Sequence, residues 1–309
     1  MTDRVAYRSL VSDNARWDGF AFRDGDIVIS TPPKCGTTWT QMICALLIFR
    51  KPHFDKPLDQ ISPWLDMTTR TVESVVTDLE AQTHRRFIKT HTPLDGLPFD
   101  ERVTYICVGR DLRDVAISEA HHFDNTDMDA FIAQVDSAVG LVSLADVMPA
   151  EVPSLPTSLR DRFWLWADGI EMPGQSISGL KPSLHHLQTF WNKRGLANVV
   201  VLHYDDLKDD LSGQMRYLAS RLGIEIDEPE ARDLARAATF ESMRGRARDV
   251  APNATETIWR DTAKFFHSGT SGQWRNVLTD EDLRRYAARV AELAPADLVE
   301  WIHRGPVVP

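Results

Sequence analysis

This 309-residue sequence has three cysteines, no long apolar run and no excess of basic residues. The three cysteines show no paired spacing, which argues against a disulfide framework or a cysteine-rich zinc site. The longest apolar run in the first third, Ile43–Phe49, is far shorter than the roughly 20 residues that cross a bilayer. The N-terminus carries acids and arginines where a signal peptide needs an apolar core. We therefore expect a soluble, cytoplasmic protein without a membrane span.

A net charge of −10 argues against non-specific binding to nucleic acid, but it leaves room for a local cationic pocket. The chain also lacks internal repeats and low-complexity tracts. Its composition, 43% hydrophobic and 26% charged, is typical of a globular protein. We predict one domain over residues 1–309.

Apolar strands and helices alternate along the chain. The predicted strands are Asp26–Ser30, Arg86–Thr90, Val103–Gly109 and Asn198–Tyr204, and the helices include Thr37–Arg50 and Asp205–Leu222. Strands that are apolar on both faces and separated by helices predict a parallel sheet covered on two sides, a three-layer α/β sandwich. Residues 148–183, rich in Pro, Gly and Ser, are expected to form loops and short helices on the acceptor side.

The segment STPPKCGTTWTQ, from Ser30 to Gln41, joins the first predicted strand to the first helix. Free amides at a helix N-terminus and the helix dipole favour an anion such as phosphate or sulfate. Lys34 precedes the only glycine, Gly36, so the segment does not match the nucleotide-triphosphatase pattern G-x-x-x-x-G-K-[ST]. That mismatch argues against a nucleotide kinase, and a helix cap with a solvated lysine is the simplest structural alternative.

Six segments, in order between residues 30 and 279, resemble the signatures of cytosolic-type sulfotransferases. They are PPKCGTTW, FIKTHTPLDGLP, RDLRDVAISEAHHF, HYDDL, ATFESM and FFHSGTSGQWRNVLT. RDGDIVIS, SPWLD and RRFIKTHTPLDGL further resemble a mycobacterial-type branch associated with glycolipid sulfation. The resemblance implies a P-loop-like loop that binds 3′-phosphoadenosine-5′-phosphosulfate (PAPS) as co-substrate, with 3′-phosphoadenosine-5′-phosphate (PAP) as product and no metal.

The resemblance also assigns site residues. It assigns His91 as the catalytic base and places Lys34 and Lys89 near the leaving oxygen. Ser118 is the fourth catalytic residue, and it would also approach Lys34. The donor site then consists of Lys34, Cys35, Gly36, Thr37, Thr38, Trp39, Arg110, Ser118, Tyr204, Thr239, Phe240, His267, Ser268 and Gly269. Arg110 and Ser118 are assigned to the 3′-phosphate, and Trp39 and Phe240 to the adenine.

Strand alternation independently places Lys89 and His91 on one face, because Phe87, Lys89 and His91 are spaced two apart. Pro93 ends this strand, so both side chains lie at its carboxyl end, where open α/β sheets bind ligands. An imidazole with a pKa of about 6.5 accepts a proton at neutral pH. The alternatives are a strand-end lysine and a hydrogen-bonded core histidine.

Several positions depart from the family pattern. His267 and Ser268 stand where an Arg-Lys pair would bind the 3′-phosphate, with Arg275 and Arg260 as possible replacements. His122 stands where the acceptor wall usually has Phe. Because these two cations are missing, a weakly active or non-catalytic nucleotide-binding protein with the same fold is an alternative interpretation. Aromatic residues around Phe163–Trp166 predict a small, hydrophobic, hydroxyl-bearing acceptor, whether lipid, glycolipid, steroid or phenol, with possible peripheral membrane contact.

Overall fold

Four parallel strands form the centre of the computed structural model, which describes residues 4–147, 155–169, 176–252 and 258–307. The strands lie in the order β2-β1-β3-β4. Each strand pairs in parallel with its neighbours. The predicted parallel sheet is therefore confirmed. Its strands are β1 (Ile27–Ser30), β2 (Phe87–Thr90), β3 (Thr104–Gly109) and β4 (Val199–His203).

Helices cover both faces of the sheet. The α-helices in chain order are α1 (Thr37–Phe49), α2 (Leu58–Ile61), α3 (Val72–Ala81), α4 (Leu112–Asn125), α5 (Met128–Val139), α6 (Leu159–Asp168), α7 (Leu180–Trp191), α8 (Tyr204–Asp209), α9 (Leu211–Arg221), α10 (Glu228–Ala237), α11 (Phe240–Gly245), α12 (Ala247–Val250), α13 (Asp280–Leu293) and α14 (Ala296–His303). Short 3-10 helices occur at Asn14–Trp17, Leu94–Gly96, Leu141–Leu144, Thr262–Phe265 and Gln273–Asn276.

Two apolar layers sandwich the sheet because alternate strand residues point to opposite faces. One layer packs Val28, Ile88 and Tyr105 against residues of α4, α6, α7 and α13. The other packs Ile29 and Phe87 against residues of α1, α9 and α10. The three-layer α/β sandwich is thus confirmed, and it leaves the carboxyl ends of the strands open on one edge.

The predicted helix over Asp205–Leu222 is wrong as a single element. The chain breaks at Asp210, which has non-helical backbone dihedrals (φ −142°, ψ 73°) and caps α9 by accepting a hydrogen bond from the amide of Gly213 at 2.9 Å. An aspartate that caps a helix satisfies one of its otherwise unpaired amides, so a second helix starts here. Gly223 follows α9 with a left-handed φ of 65°.

Residues 155–169 and 176–183 are the described parts of the predicted loop-rich region, and they contain α6 and the start of α7. Residues 148–154 and 170–175 lie outside the described part of the chain. Within the described residues, no helix combines the length and the apolarity needed to cross a bilayer. The three cysteines are unpaired and buried.

Candidate active site

The loop between β1 and α1 leaves the first amides of α1 free. Among the described residues, the amides of residues 36–39 have no hydrogen-bond partner, whereas the amide of Thr40 donates to the Gly36 carbonyl at 2.9 Å. Gly36 (φ 105°) and Lys34 (φ 63°) both take left-handed backbone conformations, which turn the chain sharply into the helix. Free amides and the dipole of a 13-residue helix are a suitable cradle for an anion.

Lys34 is held at both ends. Its carbonyl accepts a hydrogen bond from Arg110 Nη1 at 3.1 Å, and its Nζ lies 3.1 Å from His122 Nδ1. The ammonium also lies 5.0 Å from the centre of the Phe265 ring. Burial, opposed by nearby Glu119 and reinforced by Arg110, lowers the pKa of Lys34 to about 8.

His91 presents an unprotonated ring nitrogen to the cavity. Its Nδ1 lies 2.6 Å from the carbonyl oxygen of Thr31, and because a carbonyl can only accept, Nδ1 carries the proton. Nε2 is then an acceptor without a hydrogen-bond partner among the described residues. Burial and the adjacent Lys89 ammonium hold the pKa of His91 well below its usual value, so the imidazole is neutral at pH 7.

Lys89 and His91 share Trp64 as a neighbour. Lys89 Nζ lies 4.2 Å from the Trp64 ring centre, and the His91 ring meets the same indole edge-on at 4.7 Å. The Trp64 indole N–H donates to Asp66 Oδ1 at 2.6 Å. Asp66 also accepts from Thr90 and from Trp17, so a buried carboxylate fixes the indole against both site residues. Burial and the Lys34 charge lower the pKa of Lys89 to about 7.

Arg110 follows β3, and its guanidinium is only partly paired. Its Nη1 donates to the Lys34 carbonyl and its Nη2 to the Thr270 carbonyl, both at 3.1 Å. Its Nε is buried without a hydrogen-bond partner in the described part of the chain, and its guanidinium lies 4.3 Å from the Tyr204 ring centre. A buried, unpaired N–H on a guanidinium is costly, and the guanidinium of this cavity-lining residue suits a phosphate.

The C-terminal loop is tied to α4 by Asp114, which accepts hydrogen bonds from the amides of Gly272 and Gln273, both at 2.7 Å. This tie places Gly269 (φ 65°) against Phe240, where a Cβ would lie 2.5 Å from the ring. Only glycine fits there. The loop therefore lies directly on the aromatic residue assigned to the adenine.

Neither of the two arginines named as possible replacements for the missing Arg-Lys pair reaches the cavity. The Arg275 guanidinium lies 4.5 Å from the Trp274 ring centre, and Arg260 Nε donates to the Thr126 carbonyl. Neither lines the cavity. At this position the His267 ring stacks on His121 with their centres 3.9 Å apart.

One cavity of about 1290 Å³ collects nearly all of the predicted site residues. Cys35 is the exception: its side chain is buried in the apolar layer and its amide donates to the Pro32 carbonyl at 3.3 Å. The cavity is lined by Lys34, Gly36, Thr37, Thr38, Trp39, Lys89, His91, Arg110, Ser118, Tyr204, Thr239, Phe240, His267, Ser268 and Gly269.

The aromatic patch predicted to bind the acceptor is only partly correct. Trp166 and Leu165 line the cavity, but Phe163 and Trp164 are buried in the core. The Trp164 N–H donates to Asp282 at 2.7 Å, which turns that indole away from the cavity. Consecutive helix residues point about 100° apart, so four in a row cannot share one wall.

Sequence reasoning missed two polar neighbours of the site. Glu119 is half-buried beside Ser118 and accepts a hydrogen bond from the Trp166 N–H at 2.8 Å. Asp66 lies in the quoted segment SPWLD but received no role. A buried carboxylate next to an aromatic residue is a weak signal in sequence, because its partners come from distant segments.

A parallel α/β sheet with an anion-binding loop after its first strand, and a neutral histidine in the same cavity, defines a nucleotide-binding enzyme of the P-loop-like class. Residues 24–296 match the family model described as the sulfotransferase domain. The chain belongs to this family and is a PAPS-dependent sulfotransferase. This result favours the transferase over a nucleotide kinase or a non-catalytic relative.

Characterised relatives and solved structures agree with the family. The chain is 45% identical over 313 residues to glycolipid sulfotransferases of Mycobacterium bovis and Mycobacterium tuberculosis, covering 99% of this chain and 96% of each relative. Rat sulfotransferase 1A1 is 25% identical over 275 residues, covering 86% of this chain and 84% of its own. Mouse sulfotransferase SULT7A1 complexed with PAP shares the fold, with a TM-score of 0.68, 20% identity and coverage of 96% and 94%.

PAP affinity should fall as the pH rises from 7 to 9. The free protein holds both lysines with lowered pKa values, about 8 for Lys34 and about 7 for Lys89. Each lysine loses its charge as the pH rises through its pKa. Binding of an anionic ligand then requires protonation of the lysine, so the affinity falls about tenfold per pH unit above the pKa of each lysine. Calorimetric titration with PAP between pH 7 and 9 measures this change. An affinity for PAP that does not vary across that range would contradict the prediction.

Proposed function

We propose that this protein transfers the sulfuryl group of PAPS to a hydroxyl of a glycolipid, with His91 as the general base. The observation that supports the base is the fixed tautomer of His91, whose Nδ1 proton is held by the Thr31 carbonyl while Nε2 faces the cavity. The glycolipid acceptor is supported by the two mycobacterial relatives, which are glycolipid sulfotransferases.

The reaction breaks the bond between sulfur and the oxygen that bridges to the 5′-phosphate, and it forms a bond between sulfur and the acceptor oxygen. His91 Nε2 accepts the proton of the attacking hydroxyl. Lys34 and the free amides of α1 bind the phosphosulfate end and stabilise the charge that develops on the departing oxygen. Lys89 assists them from the end of β2, and PAP is released.

The remaining donor contacts follow from the cavity walls. The Arg110 guanidinium and the Ser118 hydroxyl bind the 3′-phosphate, because both residues line the cavity beside the loop. Trp39 and Phe240 flank the adenine. The Trp39 indole is fixed by its N–H, which donates to the Ala238 carbonyl at 2.8 Å. We expect no metal; within the described residues, no cluster of His, Cys, Asp or Glu is placed to hold one.

An apolar wall distinguishes the acceptor side of the cavity. One hydrophobic cluster, formed largely by the N-terminal segment and α5, contains Leu10, Val11, Trp64, Met67, Phe131, Ile132 and Trp259. All seven also line the cavity, which has room for more than a small phenol. We assign this wall to the lipid tail. Phe123 lines the cavity and is 40% exposed, so it marks an entrance at which a lipid from a membrane surface enters.

Acylated glycolipids should be far better acceptors than the same sugar without its acyl chains. Each buried methylene contributes about 0.8 kcal/mol, so burying even four or so would raise kcat/KM by about 100-fold. Transfer of label from [35S]PAPS to a neutral-headgroup glycolipid, its deacylated sugar and a simple phenol measures this with one enzyme preparation. PAP affinity is the control, since it does not involve the acceptor. Equal kcat/KM for the phenol and the glycolipid would contradict the proposal.

A further inference from the structure

His122 lies at the centre of the cationic side of the cavity, although its position normally belongs to an apolar wall residue. Its Nδ1 lies 3.1 Å from Lys34 Nζ. Its ring packs between Trp259 and Phe265, at 4.9 Å and 5.7 Å between ring centres. The charged or titratable groups that face it are Lys34, Lys89 and His91. Three potential cations and two aromatic rings therefore surround one imidazole.

The protonation state of the His122–Lys34 pair follows from chemistry. A lysine ammonium is a donor only, so His122 Nδ1 accepts and its proton is on Nε2. Burial, together with Lys34, Lys89 and His91, keeps the pKa of His122 well below its usual value. A neutral imidazole is thus the hydrogen-bond acceptor for the Lys34 ammonium. Glu119 is the acidic group that acts on the same ammonium from α4.

We propose that His122 is a positioning residue, whose Nδ1 holds one N–H of the Lys34 ammonium and directs the other two toward the phosphosulfate of the donor. The inference rests on the role proposed above for Lys34. The ammonium has three donors, and His122 is its one hydrogen-bond partner among the described residues. One bond to His122 leaves two N–H groups for the ligand, so the bond persists when the donor binds.

Preorganisation is the physical benefit. Lysine loses more side-chain freedom on immobilisation than most residues, and a ligand that has to order it binds more weakly. Here the backbone of Lys34 is clamped by Arg110 and the ammonium by His122. The loss of side-chain entropy on ordering Lys34 therefore occurs when the chain folds, before the donor binds. Loss of a hydrogen bond to a charged group corresponds to about 10- to 100-fold in affinity.

Three substitutions separate this role from simple packing. His122→Phe keeps an aromatic ring of similar size and removes the acceptor. His122→Asn retains an oxygen acceptor near the Nδ1 position, and His122→Gln places one near Nε2 instead. Packing alone predicts that Phe is the best replacement, whereas positioning through Nδ1 predicts that Asn is.

The experiment is calorimetric titration of the full-length chain with PAP at pH 7.5, with thermal unfolding as the folding control. We expect His122→Phe and His122→Gln to bind PAP about 10- to 100-fold more weakly and His122→Asn to stay within about threefold of wild type. The fall of affinity with pH should also move to lower pH in His122→Phe, because the ammonium loses its acceptor.

Unchanged or tighter PAP binding by His122→Phe would overturn the proposal. The bond between His122 and Lys34 would then make no favourable contribution to the PAP complex. If His122→Phe does not fold, equal affinities of the Asn and Gln variants would overturn it as well. The readout does not involve the acceptor, so a failed glycolipid assay leaves it intact. Failure of the wild-type chain to bind PAP would refute it together with the assigned donor site.

Discussion

Replacing His91 with Asn should reduce sulfuryl transfer about 10²- to 10⁴-fold, the usual contribution of a general base. Asn retains an N–H near the Nδ1 position, so the hydrogen bond to the Thr31 carbonyl survives, while the acceptor at Nε2 is lost. PAP affinity should change by no more than a few fold, because the imidazole is neutral and faces the acceptor. Single-turnover transfer from [35S]PAPS measures the chemical step directly.

His53→Ala is a suitable control, since His53 is exposed and does not line the cavity. The kcat/KM of the wild-type enzyme should also hold when the pH is lowered to 6.5, because kcat/KM reports the free enzyme, in which the pKa of His91 lies well below that value. Negative charge on the bound donor moves this pKa upward and strengthens the base. A His91→Asn variant with more than a tenth of the wild-type rate would show that another group takes the proton.

Replacing Arg110 with Met should remove the preference for nucleotides with a 3′-phosphate. Wild type is expected to bind PAP much more tightly than adenosine 5′-monophosphate, which lacks that group. Each charge-assisted hydrogen bond contributes about 1.5–3 kcal/mol, so Arg110→Met should weaken PAP binding about 10- to 100-fold or more. Binding of the monophosphate should fall less, and the ratio of the two affinities, measured by calorimetry, should approach one.

The ratio separates recognition from support of the loop. Arg110 also donates to the Lys34 carbonyl, and damage to the loop alone would weaken both nucleotides equally. Arg260→Met is the matched control, because Arg260 lies outside the cavity. A PAP preference that survives Arg110→Met would assign the 3′-phosphate to other residues, with the stacked His121 and His267 as the next to test.

Local patterns predicted the sheet, the anion-binding loop and the shared face of Lys89 and His91, whereas the resemblance to sulfotransferases supplied the other site residues. The strands are apolar on both faces, and the two-residue period of β2 placed Lys89 and His91 on the cavity side while Ile88 joined the opposite apolar layer. The anion-binding loop could be predicted because its amides depend on a helix start, a local feature. The parallel sheet then brings the ends of β1, β2 and β3 to one edge.

One local helix cap and several features that depend on distant partners were missed. The break at Asp210 was overlooked because a capping aspartate competes with helix continuation only through its own side chain. Trp164 turned out to be a core residue because Asp282, 118 positions later, accepts its N–H. His122 was noted only as a departure from an aromatic wall, and its bond to Lys34 joins residues 88 positions apart. Sequence spacing carries no information about such pairs.

A crystal structure of the protein with PAP would test the central claim most directly, namely that the loop before α1 binds the donor opposite a neutral His91. The account predicts the 5′-phosphate within hydrogen-bond distance of the amides of residues 36–39 and of Lys34 Nζ, with His91 Nε2 open toward the acceptor side. A 5′-phosphate bound away from this loop, or His91 Nε2 bonded to another protein group, would contradict it.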